Sequence, residues 1–265
     1  MLPPPKVITR LRGGRIHAYV VGADVYGTLE PAAIFQPRDG EEVVASVVRQ
    51  DLERVVYTTL NGVVCLTRAG DLMWASDFEP HSDVRHGHRP GCALSQDDRT
   101  VWVYRPDAMA GRGGGDRWVV HDADSGVVVV RRELETVGHG AFHDHPDGNV
   151  LFTLPVEAFG YDPEESFAEW SGGYLTEDTA IVTPGGEGQD EEEWFRHHLV
   201  DVRTGTLGGE FTVEASNPYE LVPLGGGSWL TSGPGGDPVR WSSAPQPTAP
   251  PHPAVPTSPY ERRQP

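Results

Sequence analysis

The chain has 265 residues, of which 37% are hydrophobic and 23% charged, with 32 glycines, 24 prolines and 2 cysteines. Glycine and proline are too frequent for long helices, and they favour many short strands joined by tight turns. Cys65 and Cys92 stand alone in the sequence, so that neither a disulfide framework nor a zinc module is indicated. We find neither a signal peptide nor an apolar run of membrane-spanning length, and therefore expect a soluble, cytoplasmic protein.

The formal net charge of -18 is concentrated in one part of the chain. Between Arg132 and Arg196 there are 16 Asp and Glu residues and no Lys or Arg, whereas the remainder has 21 basic and 23 acidic residues. Nucleic acid is a poor partner, because binding to phosphates needs a concentrated basic surface. A basic protein or peptide is the better candidate.

Short strands begin to follow one another at about residue 41. The segments 42–50, 55–60, 63–67 and 71–75 are rich in apolar and β-branched residues, as strands are. Asn61-Gly62 is a strong hairpin signal between the second and the third segment. Four antiparallel strands in fewer than 40 residues are typical of one propeller blade.

The same pattern recurs in the segments 92–130, 141–175, 180–213 and 219–231. Second strands are predicted to start at Val55, Val101, Val150 and Ser228, with spacings of 46, 49 and 78, the last being twice 39. A period of 40 to 50 residues indicates propeller blades. The third unit is expected to have outer strands at 166–170 and 174–175. We expect the N-terminal segments 7–11 and 15–21 to supply the hairpin missing from the fifth unit and so to close the ring.

The sequence thus predicts an all-β protein, a β-propeller of about five four-stranded blades over residues 1–241. A truncated six- or seven-bladed ring is the alternative. Residues 242–265 contain 8 prolines and cannot form a core, so that a disordered, proline-rich tail is expected there.

Several short motifs resemble those of the WD-repeat superfamily of β-propellers. Gly-His pairs occur at 87–88 and 138–139, polar turns at 96–98 and 146–148, and an Asp followed by a Ser/Thr-Gly turn at Asp122 and Asp201. The Trp that precedes this Asp in the family is absent at both places, and the Gly-His pair is absent from three units. The chain therefore resembles a divergent bacterial member. Because this superfamily contains both binding platforms and enzymes, the resemblance implies either kind of function.

Histidines suggest a metal site. Two clusters at 81–88 and 139–145 each contain a His-x-His pair, which on a strand places two imidazoles on one face. The candidate ligands are His86, His88, His139 and His143. The alternative is a structural role for His88 and His139 within the Gly-His pairs. If 140–145 form an inner strand, its ends are roughly 18 Å apart, so that His139 and His145 could not share one ion.

An acidic segment is the other candidate site. Asp190, Glu191, Glu192 and Glu193 precede Trp194, and a second acidic segment, 162–165, precedes Phe167. Such segments could bind a basic peptide or a cation. The alternative interpretation is a solvated loop.

Two further motifs favour ordinary loops. The segment 122–126 resembles the start of a calcium loop but lacks the later carboxylates, so that a hairpin turn is expected. The glycine-rich segment 112–116 lacks the Lys-Ser/Thr of a phosphate loop and is expected to be a flexible connection.

The preferred function is a non-catalytic protein-interaction or ligand-binding propeller with an acidic surface. It would need no cofactor, bind no membrane and be a monomer. The alternative is a metal-dependent propeller lyase or hydrolase with a histidine-lined site and a divalent metal. Whether the protein is an enzyme is left open, because a propeller can carry either function.

Overall fold

The protein is described by a computed structural model that covers residues 6–22, 26–84, 89–95, 97–108, 110–134, 154–188, 192–213 and 218–243. Within these ranges the chain forms five small antiparallel sheets, arranged as the blades of a five-bladed propeller. The helical residues in the described part are confined to two short 3₁₀ turns, Val156–Phe159 and Pro218–Glu220. The all-β, five-bladed prediction is confirmed.

Blades 1 and 2 come from the first third of the chain. The strands there are β1 (Lys6–Arg12), β2 (Arg15–Val21), the two-residue β3 (Gly27–Thr28), β4 (Ala33–Phe35), β5 (Ala45–Val48), β6 (Arg54–Thr59), β7 (Gly62–Thr67) and β8 (Leu72–Asp77). Blade 1 has the order β1-β2-β4, and blade 2 the order β5-β6-β7-β8.

Blades 3, 4 and 5 follow in chain order. Blade 3 consists of β9 (Gly91–Leu94), β10 (Thr100–Arg105), β11 (Arg117–Asp122) and β12 (Val128–Glu133). Blade 4 consists of β13 (Ser166–Tyr174), β14 (Thr179–Glu187), β15 (Glu193–Phe195), β16 (His198–Asp201) and β17 (Leu207–Glu210). Blade 5 consists of β18 (Val222–Gly225), β19 (Ser228–Ser232) and β20 (Pro238–Ser242), with β3 added as its outer strand.

The first strand of each blade lies innermost in the ring. β1 contacts β5, β5 contacts β9, and β13 contacts β18. The middle strands of blade 2 are buried on both faces, because a neighbouring blade covers each side of the sheet. This explains the continuous apolar sequence of 62–66, where a half-exposed strand would alternate between apolar and polar residues.

Among the described residues, four apolar clusters hold neighbouring blades together. They lie between blades 1 and 2, 2 and 3, 4 and 5, and 5 and 1, and their largest members include Phe35, Tyr57, Trp74, Leu221 and Tyr19. Burying one such side chain fully contributes about 1.5–3 kcal/mol to the free energy of folding. The ring is therefore stabilised mainly by contacts between blades.

The predicted ring closure is only partly right. Blade 5 is completed by β3, which pairs with β20 through Val239 opposite Thr28. We expected the N-terminal hairpin, 7–11 and 15–21, to join blade 5. It instead forms blade 1 together with β4. A hairpin pattern is local, and it does not reveal which distant sheet it joins.

The boundary between the predicted third and fourth units is also corrected. We expected segments 166–170 and 174–175 to be outer strands of the third unit. Residues 166–174 instead form one strand, β13, which pairs with β14 in blade 4. The rest of the predicted third unit, 141–153, lies outside the described residues, as do residues 244–265 of the predicted tail.

The hairpin predicted at Asn61-Gly62 is present but shifted by one residue. Thr59 pairs with Gly62, which leaves Leu60 and Asn61 as the two-residue loop. Gly62 is needed for close packing rather than for the turn, because a Cβ there would lie 3.1 Å from the backbone oxygen of Ser76. No helix in the described part of the chain has both the length and the apolar composition needed to cross a bilayer.

Candidate functional site

The structure describes part of the predicted acidic site. Glu192, Glu193 and Trp194 belong to blade 4, at the start of β15, whereas Asp190 and Glu191 lie outside the described residues. All four predicted metal ligands also lie outside them: His86, His88, His139 and His143. Among the described residues no group of three or more His, Cys, Asp or Glu side chains could hold a metal ion.

Three neighbouring strands bring acidic residues together at one end of blade 4. Glu187, at the end of β14, is paired with Glu193 on β15. On the other side of β14, Ser166 is paired with Gly186, which places Glu165 beside Glu187. Side chains at paired positions point to the same face with Cβ atoms about 5 Å apart, so that Glu187 and Glu193 repel each other. A cation bound between them would relieve this repulsion.

A surface cleft opens beside this row. It has a volume of about 380 Å³ and is lined by Glu164, Glu165, Ser166, Phe167, Glu187 and Gly188, which we call the acidic cleft. The Phe167 side chain is 52% exposed. The acidic cleft therefore offers three carboxylates and one apolar surface to a ligand.

An aromatic cluster supports the strands behind the acidic cleft. The rings of Tyr161 and Trp194 lie 4.8 Å apart, and the Tyr161 hydroxyl shares a hydrogen bond of 2.9 Å with Nε2 of His198. The Trp194 indole packs on Gly186, where a Cβ would come within 3.1 Å of the ring and would overlap the backbone oxygen of Glu165. The glycine thus allows β13, β14 and Trp194 to pack closely.

Little positive charge lies near the cleft. The guanidinium of Arg196 forms an ion pair with Glu210, at 3.3 Å. Burial lowers the pKa of His198, an effect that Glu210 opposes and Arg196 reinforces, so that this imidazole is neutral at pH 7. Burial also raises the pKa of Tyr161. The cleft therefore keeps a negative field.

The sequence pattern pointed to the acids but missed the aromatic cluster. Tyr161 and His198 are 37 positions apart and meet only because β13, β14 and β16 are adjacent. The available signal was the aromatic content of the acidic segment itself, which includes Phe159, Tyr161 and Phe167.

The segment 122–126 is a hairpin turn, as expected. The Asp122 carboxylate accepts hydrogen bonds from the backbone N–H and the hydroxyl of Ser125, and Asp201 does the same with Thr204. Asp124, which a calcium loop would need, instead forms ion pairs with Arg49 and Arg54.

The glycine-rich segment 112–116 is anchored, in contrast to the flexible connection that we expected. The Arg112 side chain is buried, and its guanidinium donates to the backbone oxygens of Leu60, Pro80 and Pro106 and to Oδ1 of Asn61, at 2.6–3.2 Å. This side chain ties the segment to the loops of blade 2. Its role is structural.

A scan against known protein families finds no match, and no curated protein matches the chain. Among solved structures, a protein of unknown function from Bacteroides caccae is similar at a TM-score of 0.43 and 11% identity, over 86% of this chain and 82% of that one. The C-terminal WD40 domain of Sif2 (TM-score 0.31, 10% identity) and the WD40 β-propeller domain of Doa1 (0.32, 13%) align with 91% and 89% of this chain. The chain spans 55% and 63% of those two domains. Such remote similarity assigns neither family nor function.

Proposed function

We propose that the protein is a non-catalytic binding propeller whose acidic cleft recognises a basic segment of a partner protein. The observation that carries this proposal is the cleft on blade 4, which is lined by Glu164, Glu165 and Glu187 and by the exposed Phe167. Arg and Lys side chains combine a cationic head with an apolar stem. Such a side chain can meet the carboxylates and the ring at the same time.

The charge distribution supports the same conclusion. No Lys or Arg occurs between Arg132 and Arg196, so that the cleft lies in the most acidic part of the sequence. Such a field accelerates the encounter with a positively charged partner, and it weakens as salt is added. Binding should therefore be strongest at low ionic strength.

A peptide-binding measurement tests the proposal. A fluorescein-labelled peptide of eight alternating Arg and Gly residues is titrated with the full chain at low salt, and the anisotropy gives the dissociation constant. The variant Glu165→Gln/Glu187→Gln/Glu193→Gln removes three charges and keeps side-chain size. We expect it to bind roughly tenfold more weakly, since each exposed ionic contact is worth up to about 1 kcal/mol.

The matched control is Glu30→Gln/Glu53→Gln/Glu177→Gln. These three glutamates are also exposed, and their removal changes the net charge by the same amount. The control should bind the peptide like the wild type. Equal weakening in both triple variants would mean that the whole acidic surface attracts the peptide, and the cleft would then not be the site.

The aromatic part of the cleft is tested separately. Phe167→Ala removes an exposed ring without changing the charge. We expect a loss of affinity of a few-fold that persists at high salt, because contacts to the ring are screened less than ionic contacts. An unchanged affinity would restrict the site to the carboxylates.

A further inference from the structure

The sequence beyond Ser243 combines a regular proline repeat with a short basic segment. The structure describes the chain as far as Ser243, and we call residues 244–265 the tail segment. The basic segment is Tyr260-Glu261-Arg262-Arg263, whose two arginines are the only Lys or Arg residues after Arg240. Before it, every third residue is a proline, at 247, 250, 253, 256 and 259.

This repeat has the period of a polyproline II helix. Such a helix has three residues per turn and a rise of about 3.1 Å per residue, so that prolines three positions apart follow one edge of it. Proline-rich chains of this kind act as extended, semi-rigid spacers. The 17 residues from Ser243 to Tyr260 can therefore span up to about 53 Å.

The tail segment starts close to blade 4, although it follows the last strand of blade 5. The backbone N–H and the hydroxyl of Ser243 both donate to the backbone oxygen of Gly227, at 3.0 and 3.1 Å. The N–H of Gly227 donates in turn to the backbone oxygen of Leu175, at 2.8 Å, directly after the end of β13. The chain therefore leaves the described fold beside the end of β13.

The acidic cleft lies at the start of the same strand. Ser166 and Phe167, which line the cleft, are the first two residues of β13. The eight residues from Phe167 to Leu175 cover about 26 Å at the usual rise of a strand. The spacer is about twice as long as this distance, so that Tyr260 can reach the cleft along a curved path over the blade.

The basic segment is chemically complementary to the acidic cleft. In an extended chain Tyr260 and Arg262 lie on one side, whereas Glu261 lies on the other. Arg262 then faces the three glutamates of the cleft, and the Tyr260 ring faces the exposed Phe167. In the described part of the chain these glutamates form no ion pair with Lys or Arg. The carboxylates are thus available to a cation from the tail segment.

We propose that Tyr260, Arg262 and Arg263 of the same chain occupy the acidic cleft and exclude other basic segments from it. This inference rests on the function proposed for the cleft and names its first ligand. Tethering gives the basic segment a local concentration in the millimolar range, so that a contact that is weak on its own is formed most of the time. A basic partner has to displace the tail segment, which thereby regulates the cleft.

Competition in the full chain tests the proposal. The variant Arg262→Gln/Arg263→Gln is titrated at low salt with the fluorescein-labelled Arg-Gly peptide, and anisotropy gives the dissociation constant. We expect the variant to bind the peptide roughly three- to tenfold more tightly than the wild type, because its cleft is no longer occupied.

The matched control is Arg68→Gln/Arg99→Gln. These two arginines are exposed on blades 2 and 3, and their replacement changes the net charge by the same amount. The control should bind the peptide like the wild type. Equal tightening in both double variants would mean that the added negative charge alone attracts the peptide, and the tail segment would then not be the ligand.

The remaining outcomes separate this inference from the proposed function. If the peptide binds the wild type and Arg262→Gln/Arg263→Gln equally, the tail segment does not occupy the cleft, while the proposed function stands. If no protein binds the peptide, both are wrong. Sedimentation velocity at several protein concentrations identifies the donor of the tail segment. Self-association that is lost in Arg262→Gln/Arg263→Gln would place it in the cleft of a second copy and overturn the contact within one chain.

Discussion

The imidazole of His121, on β11, is stacked on the indole of Trp74, on β8, with ring centroids 5.6 Å apart and planes inclined by 11°. Both rings are buried, and the contact joins blade 2 to blade 3. Nε1 of Trp74 donates to the backbone oxygen of Ala123, at 3.1 Å, while Gly126 lies against the indole. The turn that follows β11 is therefore held by the neighbouring blade.

Replacing Gly126 by Ala should be strongly destabilising. Gly126 has φ +72°, and an added Cβ would lie 2.6 Å from the Trp74 ring. We expect a loss of about 2–4 kcal/mol in the free energy of unfolding, measured by urea denaturation. Gly14→Ala is the control, because Gly14 has φ +74° with no atom within 4 Å and should show only the strain of about 1 kcal/mol. Equal losses would exclude the contact with Trp74 as the cause.

His121 should be a neutral imidazole with its proton on Nδ1. That nitrogen lies 3.0 Å from the backbone oxygen of Gly126, and a carbonyl oxygen can only accept. Burial also lowers the pKa of His121, and the positive charge of Arg131 adds to this effect. Nitrogen chemical shifts of the ring should report this tautomer at pH 7. A proton on Nε2 at neutral pH would contradict the assignment.

His197 should make the protein sensitive to acid. Burial, helped by the charge of His198, lowers its pKa from the usual 6.5 to about 4. The unfolded chain therefore binds a proton that the folded protein excludes, and the stability present above about pH 6.5 is lost as the pH falls towards 4. The loss should amount to roughly 3 kcal/mol.

Urea denaturation between pH 4 and pH 7 measures this effect. In His197→Gln, whose side chain can still bond the hydroxyl of Thr183, the slope of stability against pH should be smaller by about one proton. His121 remains in the variant and leaves a residual slope of the same sign. An identical slope in wild type and variant would show that His197 is not the group that titrates.

The Arg112 side chain should contribute far more to the free energy of unfolding than the side chain of an exposed arginine. Arg112→Met removes the side-chain donor of three backbone oxygens and leaves Oδ1 of Asn61 with the N–H of Ser82, so that we expect a loss of about 2–4 kcal/mol in the free energy of unfolding. Arg68→Met, at an exposed position, should change stability by less than about 0.5 kcal/mol. Thermal or urea denaturation compares the two. Similar effects would mean that the guanidinium does not hold the loop.

The sequence predicted the local strand pattern better than the assembly of the blades. The hairpin around Asn61 follows from β-branched runs and turn residues a few positions apart. The assignment of β3 to blade 5 could not be predicted, because Thr28 meets Val239 through the closure of the whole ring. Two-residue strands also have no periodicity to detect.

The candidate site could also be predicted only in its local parts and not in its assembly. The run of acids that ends at Glu193 is visible in the sequence, and so is the acidic segment that includes Glu165. Glu187 lies between these two acidic segments because of the register of three strands. That register is set by packing, such as the packing of Trp194 on Gly186. A one-residue shift in the pairing would turn these side chains to the other face.

Closure of the ring by β3 also sets the order of events during translation. Gly27–Thr28 leaves the ribosome roughly 200 residues before its partner β20, which corresponds to roughly 10–40 s at the usual rates of synthesis. Until then Ile8 and Tyr19 cannot be covered by blade 5. The nascent chain is thus an open arc with one unprotected apolar end, and its last blade completes the ring only after nearly the whole propeller has been made.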